Sequence, residues 1–162
     1  MSRRTARRIG TIAALPVIAV SALVCAPSAS AVSTTVVISE AYGGGGNSGA
    51  VWRNDYVELF NRSDMSVDLT GWKVQYFSAG GTTATTTTLS GSIAGGGIFL
   101  VQQAAGANTA ATALPTPDVT GTTAMSANGA KLALLDASGA TVDYLGWGSA
   151  TAAQLASWDP YN

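Results

Sequence analysis

The chain contains no histidine, and its only cysteine, Cys25, sits inside an N-terminal stretch that reads as a leader. Without imidazole or a retained thiol, Ser-His-Asp and Cys-His catalysis are closed off, as are zinc centres built from those ligands. One cysteine makes no intrachain disulfide, so stability must come from burial and hydrogen bonding. Charge is scarce as well: charged residues are 10% of the chain, eight Lys and Arg against nine Asp and Glu. What remains for chemistry is carboxylates, two lysines, tyrosines and hydroxyls. That inventory favours a non-catalytic protein.

The charge is also unevenly placed. "MSRRTARRIG" holds four arginines and no acid, and "TIAALPVIAVSALVCA" follows as an apolar run. "PSASA" then sets Ala29 and Ala31 in the small-x-small arrangement of a signal-peptidase site. This predicts a secretory leader over 1–31, cleaved after Ala31, and an extracellular destination. The run is short and ends in a cleavage signal rather than in basic residues, so no membrane span is expected in the processed chain. Arg3-Arg4 raises the twin-arginine route. Thr5-Ala6 follow where such signals carry bulky apolar residues, so the general secretory route is the expectation. Val24 before Cys25 argues against a lipoprotein. Cleavage leaves 162 less 31, or 131 residues, enough for one domain with a core. Four of the eight basic residues leave with the leader, so Arg53, Arg62, Lys73 and Lys131 face nine acids, a net charge of −5. A phosphate backbone wants the opposite balance, and charge gives nucleic-acid binding no support.

Beyond the leader the sequence reads as short strands. "TVVISEAY" alternates, which would put Val36, Ile38, Glu40 and Tyr42 on one face and Val37, Ser39 and Ala41 on the other. In "YVELF", Val57 and Leu59 oppose Tyr56, Glu58 and Phe60. "VDLTGWKVQYF" changes phase at Gly71, a signature of a bulge or sharp bend. "TTATTTTL" is polar and β-branched, as suits a sheet edge, and "IFLVQ" is apolar enough to be central. "KLALLD" and "TVDYLGW" flank "ASG", a hairpin loop. No stretch reads as a helix of three turns. Seven short strands within 32–162 predict an all-β fold, an antiparallel two-sheet sandwich.

Candidate site residues are few. "GGGGNSGAVWRND" has no lysine and runs into a strand rather than a helix, so it is not a phosphate cradle. Its glycines are expected to serve a long, mobile connection. Glu40 and Glu58 flank that loop. Each is expected to cap backbone amides of a neighbouring loop, as a buried acid must. The rival is an oxygen-rich Ca2+ site with Asp55, although no Asp-x-Asp-x-Asp-Gly loop accompanies it. A carboxylate-dependent or metal-dependent hydrolase would need the same pair beside a cleft, which a small sandwich does not predict. The aromatics Trp52, Trp147, Trp158 and Tyr161 make a candidate binding surface, because exposed rings stack on sugars or bases. The competing role for Trp147 and Trp158 is to fold back over an open sheet. Trp72 is expected in the core.

The ordered set "VVISEAYGGGGNSG", "NDYVELFN", "VDLTGW", "GGGIFLVQ", "LPTPD", "SANGAKLALLD" and "VDYLGWG" resembles the lamin-tail domain in its secreted bacterial form, from about residue 35 to 148. No single motif is diagnostic; their order is. The resemblance implies an immunoglobulin-like β-sandwich. Family members often accompany extracellular nucleases or phosphoesterases on longer chains, which implies an accessory binding or scaffolding role. It also keeps nucleic acid open as a ligand, against the charge balance. The expected partner is an extracellular protein or a cell-wall polysaccharide, and the sequence does not choose between them. After "VDYLGWG" such domains continue through a further strand, where this chain has "SATAAQLASWDPYN". The expectation is a sandwich lacking its last strand. Either the chain is cut short there, or the tail packs differently, or an open edge takes a strand from another chain.

Overall fold

The alternating segments form strands in the computed structural model, which describes residues 33–150. The leader, Trp158, Tyr161 and the rest of the tail lie outside the described residues. Ten strands follow in order: β1 (Val36–Tyr42), β2 (Asn54–Asn61), β3 (Val67–Asp68), β4 (Lys73–Ser78), β5 (Thr85–Thr88), β6 (Ser92–Ile93), β7 (Ile98–Ala105), β8 (Val119–Thr120), β9 (Gly129–Leu135) and β10 (Thr141–Gly148). One sheet runs β1-β2-β7-β8, the second β10-β9-β4-β5, and β3-β6 is a small ribbon. Among the pairings of these strands only the short β7–β8 one is parallel. No described residue is helical, and no helix among them is long and apolar enough to cross a membrane.

The expected sandwich is therefore present. The Thr-rich strand β5 is an edge and the apolar β7 is internal, as their compositions predict. Val57, Leu59, Phe99 and Val101 of the first sheet meet Val74, Leu132 and Leu134 of the second, with Leu69, Leu89 and Ile93 closing one end. Each such buried side chain contributes about 1.5–3 kcal/mol against the entropy of ordering the chain.

Two local features redirect the chain. Gly71 adopts φ +82, and Trp72 N donates to Leu69 O at 3.0 Å, so "VDLTGWKVQYF" bends sharply into β3 and β4. Ser39 is an unpaired extra residue between the Ile38–Leu59 and Glu40–Glu58 pairs. This bulge shifts the phase of β1 by one. Val36, Ile38 and Ala41 contact the core, whereas Glu40 and Tyr42 turn outward. Uninterrupted alternation would have kept all four of Val36, Ile38, Glu40 and Tyr42 on one side. That face assignment is corrected here.

Side chains stitch the two sheets along both long sides. On one, the Asp143 carboxylate of β10 accepts from Ile38 N at 2.8 Å, beside the β1 bulge. On the other, buried Gln103 donates from Nε2 to Thr87 Oγ1 at 2.8 Å and accepts from Thr123 N at 3.1 Å. Asn61 pins the loops at one end through Nδ2 bonds to Met65 O, Ile93 O and Ala94 O.

Candidate functional site

The phase shift at Ser39 assembles the outer face of the first sheet. Register across β1, β2 and β7 sets out three rows: Tyr42–Tyr56–Gln102, Glu40–Glu58–Leu100 and Val37–Phe60–Ile98. The face thus grades from polar aromatic through acidic to apolar. Tyr42 and Tyr56 stack with centroids 5.4 Å apart and planes 8° from parallel. Tyr56 OH donates to Glu40 Oε1 at 2.6 Å, and Ser39 Oγ donates to Glu58 Oε1 at 2.8 Å. Burial pushes the Tyr56 phenol well above its ordinary range; the bond to Glu40 and the charges of Glu40 and Glu58 push it further. Tyr56 therefore remains a protonated donor at any physiological pH. The two carboxylates sit directly opposite each other, which costs repulsion, and each has a hydroxyl partner that offsets part of it.

Asp55 belongs to a different place. It neighbours Tyr56 in an alternating strand, so its carboxylate points to the opposite side of the sheet from Glu40 and Glu58. There it accepts from Gly45 N through Oδ1 and from Met125 N through Oδ2, both at 2.6 Å. Burial pushes this carboxyl above the usual range, while the amides of Met125, Gly45 and Gly44 pull the other way. The Ca2+ trio of Glu40, Asp55 and Glu58 is thus not brought together, and no group of three or more potential metal-ligating side chains occurs among the described residues. Amide capping, expected of Glu40 and Glu58, falls instead to Asp55. Those two glutamates are bound by hydroxyls.

The glycine-rich loop is packed, not the loose connection its composition suggests. Gly45 and Gly46 are buried. A Cβ on Gly45 would stand 2.1 Å from the Asn54 carbonyl carbon, and one on Gly106 would stand 2.2 Å from Gly45 O. Backbone lies on backbone, which only glycine allows. Gly46 N donates to Trp52 O, and Asn108 N donates to Gly46 O. A cleft of about 280 Å³ opens at this end, lined by Gly44, Asn47, Asp55, Ala105, Met125 and Asn128. The Asp55 oxygens in its wall are already engaged by amides.

The aromatic candidates separate in the same way. Trp147 packs against the core and donates from Nε1 to Ser126 O at 3.0 Å. It leaves the candidate binding surface, because β9 register turns it inward opposite Ala130. Trp52 is half-buried, its backbone bridged to Thr112. Trp72 packs on the core as expected. Reading the sequence missed Tyr42, Tyr56 and Ile98 as members of one face. The alternation in β2 carried part of that signal, and the bulge hid the rest.

No curated protein matches the chain at a significant level. A family model described as Lamin Tail Domain matches residues 29–149, which takes in every strand described. With that match over most of its length and an all-β sandwich to go with it, the chain belongs to the lamin tail domain family.

Proposed function

We propose that the chain is a secreted, non-catalytic binding or scaffolding module, accessory to an extracellular nuclease or phosphoesterase on a separate chain. It presents the outer face of the first sheet to an extracellular protein. One observation carries the reading: Glu40, Tyr56, Glu58 and Ser39 are fixed by bonds among themselves, beside an apolar row in which Ile98 is 60% exposed. Side chains already held in place lose less entropy when a partner docks, so more of the contact energy appears as affinity. An apolar strip bordered by charge is also how docking surfaces are commonly built. The lamin tail domain is a non-catalytic fold, and the absence of histidine agrees with that. Cell-wall polysaccharide is the alternative ligand, and the acidic balance argues against nucleic acid.

The test compares the secreted chain with Ile98→Asp and with Glu40→Gln/Glu58→Gln. Each is immobilised and exposed to the secreted proteins of the producing organism, to its insoluble wall polysaccharide, and to duplex oligonucleotide. A protein retained by the wild type and released by both variants, with melting temperatures unchanged, supports the reading. Retention on polysaccharide alone supports the alternative. Identical retention by wild type and variants removes the face from consideration. Mass analysis of the exported chain should find Val32 at its N-terminus.

A further inference from the structure

The cleft beside the glycine-rich loop joins three features that amide capping by Asp55 does not use. The first is charge. Asp55 is 4% exposed, and its carboxylate meets backbone amides only. No cation among the described residues pairs with it. A carboxylate has about four acceptor positions. Gly45 N and Met125 N fill two of them, so a buried anion in the cleft wall keeps spare acceptors and no counter-charge. The second feature is the mouth. Asn47 and Asn128 are exposed there, and neither carboxamide is bonded to another described residue. The third is the wall, which is methyl and backbone. Ala104, Ala105 and Gly106 come from the end of β7, and Ala124, Met125 and Ala127 from the segment before β9.

We infer that this cleft binds the ammonium group of a lysine side chain presented by a partner protein. The lysine stem lies along the alanine walls, the ammonium sits on Asp55, and the Asn47 and Asn128 carbonyl oxygens complete its shell. A primary ammonium brings three donors, which matches one carboxylate and two carboxamides. Arginine fits less well. Its fork takes both carboxylate oxygens side by side, and each of these holds an amide. Ca2+ takes roughly six to eight oxygen ligands, and no group of three ligating side chains occurs among the described residues. The cleft volume, about 280 Å³, lies just below the range of small-molecule pockets, roughly 300–1,000 Å³. It suits one side chain rather than a whole ligand. The base is also rigid: Gly45 and Gly106 pack backbone on backbone, so little order has to be acquired on binding. The site is separate from the outer face of the first sheet and does not depend on the role given to that face.

The test titrates the full chain, isotope-labelled for amide NMR, with Nα-acetyl-lysine methylamide. The control is the norleucine analogue, which keeps the stem and lacks the ammonium. Amide shifts at Gly45, Gly106 and Met125 should saturate with the lysine analogue in the millimolar range. The norleucine analogue should bind at least about tenfold more weakly. Ala105→Phe, at an exposed position on the rim, should abolish the shifts and leave the melting temperature unchanged. Absence of these shifts, equal binding of the norleucine analogue, or shifts that persist in Ala105→Phe overturns the inference. So does tighter binding of glucosamine than of the lysine analogue, because the ligand would then be an amino sugar. Shifts centred on Glu40 and Glu58 would put the ammonium on the first sheet instead and overturn the cleft.

Discussion

Replacing Asp55 by Ala tests whether this residue is the latch of the loop end. Its carboxylate holds Gly45 N and Met125 N, both at 2.6 Å, from a buried position. A hydrogen bond to a charged acceptor contributes about 1.5–3 kcal/mol, and a buried amide left without a partner costs about 1–3 kcal/mol. Two such bonds give 3–6 kcal/mol; release of the carboxylate's own burial cost brings the expected loss to about 3–5 kcal/mol. For a domain of this size that is about 10–20 °C in melting temperature. Asp55→Asn should recover little of it. The amide presents one carbonyl oxygen and one NH2 group, so one of the two backbone donors would face another donor. Urea melts of the three proteins measure the losses, and hydrogen exchange at Gly45 and Met125 locates them. A loss below about 1 kcal/mol for Ala, or near-complete rescue by Asn, would refute the latch.

Other substitutions probe separate features. Gly45→Ala should cost about 2 kcal/mol or more, because the added methyl meets the Asn54 backbone. Gly80→Ala, where a Cβ meets nothing within 4 Å, should leave the melting temperature unchanged. Tyr56→Phe removes the donor to Glu40 and should cost about 1 kcal/mol in a urea melt, since the exposed carboxylate turns to water instead. Asp136, in the β9–β10 hairpin, is held below the ordinary carboxylate range chiefly by Ser138 Oγ at 2.6 Å. Its contribution to stability is therefore complete above pH 3.8, the ordinary value, and is lost as pH falls through the lowered native value. Asp136→Asn should remove that part of the acid limb from a pH series of thermal melts.

How much of this was legible depends on the distance over which each residue acts. Val57 and Leu59 against Tyr56, Glu58 and Phe60 is a within-strand pattern, and β2 keeps it. The edge position of the threonine strand and the "ASG" hairpin are equally local. Ser39 is not legible: an extra residue in a strand has no compositional mark, and its effect depends on the partner strand. β6 and β8, two residues each, are too short to show a period. The Asp55 latch joins residues 70 apart in sequence, and nothing near Asp55 announces Met125. The four glycines were visible, but composition alone does not distinguish a loop that needs freedom from one whose backbone must touch other backbone. Gly45 and Gly106 are the second kind, a property of two segments that meet only after folding.

The same packing divides the loop into a buried base and an exposed tip. From Gly43 to Gly46 the path is set by contact with Asn54, Gly106 and Ser126, so an inserted residue there would throw the whole turn out of place. Ser48 and Gly49 are exposed, and a Cβ on Gly49 meets nothing within 4 Å. The tip is thus a natural port for inserted peptides: a graft between Ser48 and Gly49 would be carried on a rigid base, and descendants of this domain are free to lengthen it there without rebuilding the sandwich.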